Sequence, residues 1–243
     1  MIEEAWLRPT WFIDSDSEQV GRFAEASVGD ATNPIDVAVA LFHAVRDGIR
    51  YDPYVKAEGP EDYRASAVTQ TSANWCTPKS VLLTAAARHC GIPARLGFAD
   101  VRNHLTSEKL SKQMGTDLFI WHGYSEMLLD GQWRKASSAF NIELCERFGV
   151  KVLDFDGTYD ALMHPFDEKG NRHMEYVNQR GSFDDLPLEQ IQADFREVYK
   201  DWYGADDTVG VVDEAFHPED PALCTPLGSA QNEQGAARAA ELQ

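Results

Sequence analysis

Apolar residues recur at helical spacing in two stretches of the N-terminal half. The first stretch follows Asn33-Pro34, a pair typical of a helix N-terminus because Asn caps the helix and Pro fits its first turn. Its apolar positions are Ile35, Ala38, Leu41, Phe42, Val45 and Ile49. The second stretch, from Cys76 to Cys90, is apolar on most faces, and Gly91 follows where a left-handed C-cap is expected. The pattern predicts an amphipathic helix and then a central, buried helix.

Strand-like spacing follows the buried helix. Residues 95–101 alternate well enough for a strand after the Gly91-Ile92-Pro93 turn. Two further runs, within residues 119–141, flank Asp130-Gly131, a dipeptide that favours a two-residue hairpin turn. The polar stretch between these strands, residues 102–116, is predicted to be a loop.

The C-terminal part of the chain predicts short elements around one core. They are a helix over 142–148, a strand over 150–155, a hairpin turning at 168–171 and a helix from 187 to about 203. After residue 204 acidic residues prevail and large apolar residues become rare, so we expect a loosely ordered tail. We therefore predict a single domain over residues 1–204, with its core at 35–141, an extension at 142–204 and an acidic tail at 205–243.

Composition narrows the class of protein. The chain has 22 Lys and Arg against 40 Asp and Glu, a net charge of −18, which argues against binding nucleic acid or an anionic membrane. No apolar run is long enough for a membrane span, and the N-terminus lacks the apolar core of a secretory signal. Four scattered cysteines show no zinc-ligand spacing. We expect a cytoplasmic protein without disulfides, metal or cofactor.

Cys76 stands at the start of the buried helix, which is a position with distinct chemistry. The unpaired N–H groups of a first helical turn make their surroundings electropositive, so the thiol pKa is predicted to fall. The same N–H groups would hold the oxyanion that forms when the thiolate attacks a carbonyl. The alternative is an inert core cysteine, since cysteine is among the most buried residue types.

His122 lies on the first strand of the predicted hairpin, after the cysteine helix in the chain. A histidine in that place suits the base of a Cys-His pair. The alternative is a purely structural histidine. Taken alone, neither residue decides between catalysis and packing.

The order of these features resembles the transglutaminase-like superfamily. The residues that carry the resemblance are Cys76, Gly91-Ile92-Pro93-Ala94-Arg95, His122, Glu126, Gly131 and Trp133. The resemblance covers roughly residues 35–141. It implies an α+β fold with a papain-like core, in which the Cys-bearing helix packs on an antiparallel sheet and helical extensions lie at both ends. It also implies that Cys76 is the nucleophile and His122 the general base and acid.

The third catalytic position departs from the family pattern. The family places an Asp four residues after the hairpin Trp, and this chain has Ser137 there. A serine can accept the imidazole N–H but does not stabilise an imidazolium as a carboxylate does. Asn141 is an alternative third member, and Asp154 or Asp156 could supply a carboxylate from farther along the chain.

Residues around the cysteine also differ from the family, which suggests a divergent branch with its own substrate. Trp75 replaces the usual glycine before the cysteine, and Lys79-Ser80 replaces a small apolar residue one turn later. Trp75 and Tyr51 are predicted to line a substrate groove, with ordinary packing as the alternative for each.

These residues predict cysteine-dependent acyl transfer on a peptide, amide or other acyl substrate. Hydrolysis of an amide or peptide bond through a Cys-linked thioester is the first hypothesis, because nothing in the chain indicates an amine site. Amine capture, as in transglutaminases, is the second hypothesis. A non-catalytic binding scaffold is the third, and Ser137 at the Asp position is its main support.

Overall fold

The computed structural model describes residues 4–199 and residue 216. The helices are α1 (Glu18–Val28), α2 (Pro34–Gly48), α3 (Ala65–Val68), α4 (Cys76–His89), α5 (Glu108–Met114), α6 (Ile142–Phe148) and α7 (Leu188–Val198). The strands are β1 (Arg50–Tyr51), β2 (Ala73–Asn74), β3 (Ala94–Asn103), β4 (Leu118–Leu129), β5 (Gln132–Ala136) and β6 (Met174–Phe183). The predicted acidic tail lies outside the described residues.

Four strands form one antiparallel sheet in the order β5-β4-β3-β6. A separate two-residue parallel pair joins β1 to β2, immediately before α4. The predicted hairpin between β4 and β5 is confirmed. Asp130 and Gly131 both adopt positive φ angles, 48° and 75°, as a two-residue turn with the twist of the flanking strands requires.

Helix α4 occupies the centre of the molecule, and its side chains from Cys76 to Arg88 are buried. It packs against α1, α2, α3 and the strands β3 and β4. Hydroxyl groups connect α4 to β4, because Thr84 donates to Ser125 (3.0 Å) and Ser125 donates to the carbonyl of Ser80 (3.0 Å). This arrangement confirms an α+β fold with a Cys-bearing helix on an antiparallel sheet. The flanking α1 and α7 confirm the helical extensions.

Three local predictions need correction. Residues 150–155 form no regular strand in the described structure, although Val150, Leu153 and Phe155 are buried. The polar stretch predicted as a loop contains α5, which Ser107 caps by accepting from the N–H of Leu110. The hairpin predicted to turn at 168–171 is confirmed by the antiparallel bridge between Phe166 and Arg172, but the length of β6 after it was not predicted, because most side chains of β6 are exposed and carry no apolar alternation.

Within the residues that the structure describes, no helix combines the length and the apolar character needed to cross a bilayer.

Candidate active site

Cys76 is the first residue of α4, and its side chain is only 7% exposed. Burial raises the pKa of the thiol, while the backbone N–H groups of Gly123, Thr77 and Cys76 itself act to lower it. The net shift is upward, so the predicted low-pKa thiolate is wrong for the unliganded site. Desolvation outweighs the helix N-terminus here because the sulfur is almost completely removed from water.

His122 follows a bulge in β4. Ala99 of β3 pairs with His122 and Val101 pairs with Phe119, so β4 carries one extra residue between these pairs. Trp121 sits at this irregularity with φ = 58°, in the left-handed region that a bulky residue rarely adopts. The backbone therefore turns sharply just before the histidine. Non-glycine residues in this region are characteristic of functional sites.

The bulge leaves two backbone N–H groups without regular ladder partners, and side chains supply the acceptors. The buried carboxylate of Asp100 accepts from the N–H of Trp121 (3.1 Å). The hydroxyl of Tyr199 accepts from the N–H of Ile120 (2.8 Å) and donates to the carbonyl of Leu118 (3.0 Å). These contacts hold the segment before His122 in its strained conformation.

A network of charged side chains extends this support. Arg180 pairs with both Asp100 and Asp194, and its guanidinium lies 4.5 Å from the ring centroid of Trp121. Asp194 also accepts from the indole N–H of Trp121 (2.8 Å). Sequence reasoning missed this network, because its members come from β3, β6 and α7 and share no sequence spacing.

The imidazole of His122 is buried and contacts Ser137. The distance from His122 Nε2 to Ser137 Oγ is 3.3 Å. Burial lowers the pKa of His122 to about 4, because the protonated imidazole loses its hydration. At neutral pH the pair therefore consists of a neutral thiol and a neutral imidazole.

Ser137 is the side chain that contacts the His122 imidazole, and Asn141 makes other contacts. The side-chain oxygen of Asn141 accepts from the backbone N–H of Tyr51 (3.0 Å), and its amide nitrogen donates to Glu143 (2.6 Å). These bonds commit Asn141 to the start of α6 and to β1. This placement corrects the alternative assignment of Asn141 as the residue that orients His122.

The two aspartates considered as substitutes also lie elsewhere. Asp154 contacts His43 Nε2 (2.7 Å) at an exposed position, and Asp156 accepts from Thr158 in a turn. Glu126 is buried too, but it pairs with Arg95 (2.7 Å) and accepts from Ser182. Among the described residues no carboxylate hydrogen-bonds the imidazole of His122.

Cys76 and His122 line the same cavity, which has a volume of about 330 Å³. Tyr51 and Trp75 line it as well, as predicted for a substrate groove. The indole of Trp75 makes an edge contact with Tyr63 (ring centroids 6.1 Å apart) and a tilted contact with Phe195 (5.9 Å). The four residues singled out from the sequence therefore share one concave surface.

Gly123 is a further residue of this site that the sequence did not single out. A Cβ atom at Gly123 would lie 3.1 Å from the Cα of Thr77, a contact so tight that the first turn of α4 would have to shift to accept a side chain there. This contact brings the N–H of Gly123 to the sulfur of Cys76. A glycine inside a strand pattern is the available signal, because it often marks close backbone approach.

No group of three or more His, Cys, Asp or Glu side chains in the described part of the chain is arranged to hold a metal ion.

A family model described as the transglutaminase-like superfamily matches residues 21–137. Residues 21–137 belong to this superfamily. The matched segment includes Cys76, His122 and Ser137. Members of the transglutaminase-like superfamily are mostly cysteine-dependent enzymes that act by acyl transfer or hydrolysis.

Two solved structures were compared with the chain. One is a candidate cysteine protease from Cytophaga hutchinsonii, with 15% identity, a TM-score of 0.46 and coverage of 74% of this chain and 46% of that one. The other is the arylamine N-acetyltransferase from Mycobacterium abscessus, with 12% identity, a TM-score of 0.37 and coverage of 55% and 46%. The chain thus spans less than half the length of either structure. A search of curated proteins finds no significant match.

Proposed function

We propose that the protein catalyses cysteine-dependent acyl transfer, with hydrolysis of an amide bond as the reaction. The observation that carries the proposal is the shared cavity, where the Cys76 thiol and the His122 imidazole meet backbone N–H groups at a helix N-terminus. Such N–H groups suit the oxyanion of a tetrahedral intermediate.

The proposed steps follow from the neutral resting pair. The reaction uses the tautomer in which Nε2 of His122 donates to Ser137 and Nδ1 accepts the thiol proton as sulfur attacks the carbonyl carbon. The S–C bond forms and the carbonyl oxygen becomes the oxyanion near the N–H groups of Gly123 and Cys76. The imidazolium then protonates the leaving amine, and the C–N bond breaks to give a thioester. Water, deprotonated by His122, releases the acid and restores the thiol.

Turnover of simple acyl substrates tests the proposal. Anilides and activated esters should be hydrolysed by the native protein, and Cys76→Ala should abolish turnover. His122→Ala should reduce it by a factor of about 100 or more, the usual contribution of a positioned general base. Added primary amines would divert the acyl group to amide if amine capture competes with water. Equal rates for all three proteins would contradict the proposal.

A non-catalytic binding scaffold is the second candidate. The raised pKa of Cys76, the lowered pKa of His122 and Ser137 in place of a carboxylate all favour it. Tight binding of a small amide that stays intact during long incubation would support the scaffold over the enzyme.

A further inference from the structure

The cavity at Cys76 has a composition that restricts what can enter it. Its walls are mostly aromatic and aliphatic side chains from the segment after β1, from the α3–α4 region, from β3 and β4, and from α7. Representative wall residues are Tyr54, Val55, Tyr63, Met114, Phe119 and Phe195. Among the lining residues that the structure describes, Lys56 carries the one formal charge. An apolar wall of this kind stabilises an apolar ligand and penalises a charged one.

Two polar groups in the wall are committed to the protein itself. The hydroxyl of Tyr199 bonds to the backbone of Ile120 and Leu118. The side-chain oxygen of Asn103 accepts from the backbone N–H of Leu105 (3.0 Å). A charged substituent entering the cavity would lose its hydration among mostly apolar side chains, with Lys56 as the charged residue in the described wall.

The burial of Cys76 and His122 limits which substrates can reach the sulfur atom. Cys76 is 7% exposed and His122 is 5% exposed, so a carbonyl must enter the cavity to reach the sulfur. A volume of about 330 Å³ lies at the lower end of the range typical of small-ligand sites. A volume of this size accommodates one compact group inside the cavity.

We infer that the substrate is a small amide or ester with an aromatic or branched apolar substituent close to its carbonyl group. The substituent fills the aromatic cavity and places the carbonyl at Cys76. This inference rests on the proposed function for its chemistry, but the binding preference of the cavity can be measured separately.

Two chloroacetamides of different size test the preference. N-benzyl-2-chloroacetamide and 2-chloroacetamide both alkylate a thiol with loss of chloride. For each compound, the rate of Cys76 labelling is divided by the rate of its reaction with glutathione. Relative to that reference, the benzyl compound should label Cys76 at least about tenfold faster, because burial of a ring in an apolar site favours it. Peptide mass spectrometry assigns the label, with Cys76→Ala as the background for the other cysteines.

Two variants link the preference to the cavity. Ala57 lines the cavity on the segment after β1, so Ala57→Phe should lower the ratio of benzyl to parent rates. Lys169→Phe introduces the same ring at an exposed position outside the cavity lining and should keep the ratio. A ratio in the native protein within twofold of the glutathione reference would overturn the inference, as would a ratio unchanged in Ala57→Phe.

A binding experiment separates failure of this inference from failure of the proposed function. N-benzylacetamide should raise the melting temperature of Cys76→Ala, and acetamide at the same concentration should not. If neither chloroacetamide labels Cys76 but N-benzylacetamide stabilises this variant, the cavity preference stands and the enzyme proposal falls. If both amides leave the melting temperature unchanged, the cavity preference falls whatever the reactivity of the thiol.

Discussion

At the scale of single residues, burial moves the two central groups away from their ordinary protonation behaviour. The pKa of the Cys76 thiol rises, and the pKa of His122 falls to about 4. The imidazole is therefore an unprotonated base over the whole neutral range. In the proposed reaction the proton moves from the Cys76 thiol to the His122 imidazole while the sulfur attacks the carbonyl carbon. A thiolate–imidazolium ion pair does not form before the attack.

The lowered pKa of His122 has a consequence for stability. Between pH 6.5 and about 4 the unfolded chain binds a proton at this residue and the folded chain does not, so stability rises with pH across this window and is lost as pH falls through it. The shift corresponds to about 3 kcal/mol. Urea unfolding of the native protein and His122→Gln at several pH values measures it. A difference between the two proteins that stays constant from pH 7 to pH 4 would contradict the assignment.

Lys79, one turn after the nucleophile, is a fully buried charged residue. Its ammonium donates to the carbonyls of Arg46 (2.9 Å) and Ala139 (2.8 Å) and also to that of Ile49. Burial lowers its pKa to about 7, yet three protons match three carbonyl acceptors. The side chain thereby ties the end of α2 and the segment after Ser137 to the cysteine helix.

Replacement of Lys79 should be strongly destabilising for this reason. Lys79→Met leaves three buried carbonyls without their donor, and we expect a loss of about 3 kcal/mol in the free energy of unfolding. Lys112→Met is the matched control, since Lys112 is exposed and pairs only with Glu108 on its own helix. Urea denaturation at pH 7 compares the two. Equal stabilities would show that Lys79 does not hold these segments together.

At the scale of elements, the bulge in β4 is the device that aims His122. Its strained Trp121 persists because Asp100, Arg180 and Asp194 surround it on several sides. Strain of this kind costs roughly 1–3 kcal/mol and persists only where several surrounding contacts hold the backbone in place. Asp100 is therefore a positioning residue in the proposed reaction.

Removal of the Asp100 carboxylate should release the bulge. We expect Asp100→Ala to lower kcat by about one to two orders of magnitude, because small misplacements of a reacting group have effects of that size, with a smaller change in KM. It should also shift the imidazole resonances of His122 in NMR spectra. A variant that is merely less stable but still folded would not show this shift. Asp117→Ala removes an exposed Asp–Arg pair beside β4 and should change neither. Unaltered His122 resonances in Asp100→Ala would exclude the positioning role.

The same elements show what a sequence can predict. Helix α4, its glycine C-cap and the Asp130-Gly131 turn follow from local patterns, and the structure confirms them. The bulge and the extent of β6 were missed, because the bulge depends on contacts distant in sequence and most side chains of β6 are exposed and lack apolar alternation. The protonation of Cys76 was predicted in the wrong direction, since the helix N-terminus is visible in the sequence and the extent of burial is not.

At the scale of the whole molecule, residues beyond the matched superfamily segment complete the site. Residues 21–137 contain the reactive pair, but β6 and α7 supply the side chains that surround Trp121 and part of the cavity wall. Tyr199 joins both tasks, since it lines the cavity and its hydroxyl bonds the backbone on either side of Phe119. The C-terminal extension is therefore part of the functional unit.

Removal of the Tyr199 hydroxyl should weaken the support of the β4 backbone near His122, although Tyr199 lies far from β4 in the sequence. Tyr199→Phe keeps the ring but leaves the N–H of Ile120 without its acceptor, so hydrogen exchange at Ile120 should accelerate by about fivefold, equivalent to one lost hydrogen bond of roughly 1 kcal/mol. Tyr159→Phe, at an exposed position, should leave that exchange rate unchanged. Equal protection at Ile120 in both variants would contradict the proposed contribution of α7.

The central claim is that Cys76 and His122 act together on an acyl group, and single-turnover acylation tests it most directly. The protein is mixed with p-nitrophenyl phenylacetate, quenched in acid after short intervals and mapped by peptide mass spectrometry. We predict a phenylacetyl group on Cys76 that appears within the first turnover and then hydrolyses, with acylation slowed about 100-fold or more in His122→Ala. An acyl group that forms on Cys76 equally fast in His122→Ala, or never forms there, would contradict the claim.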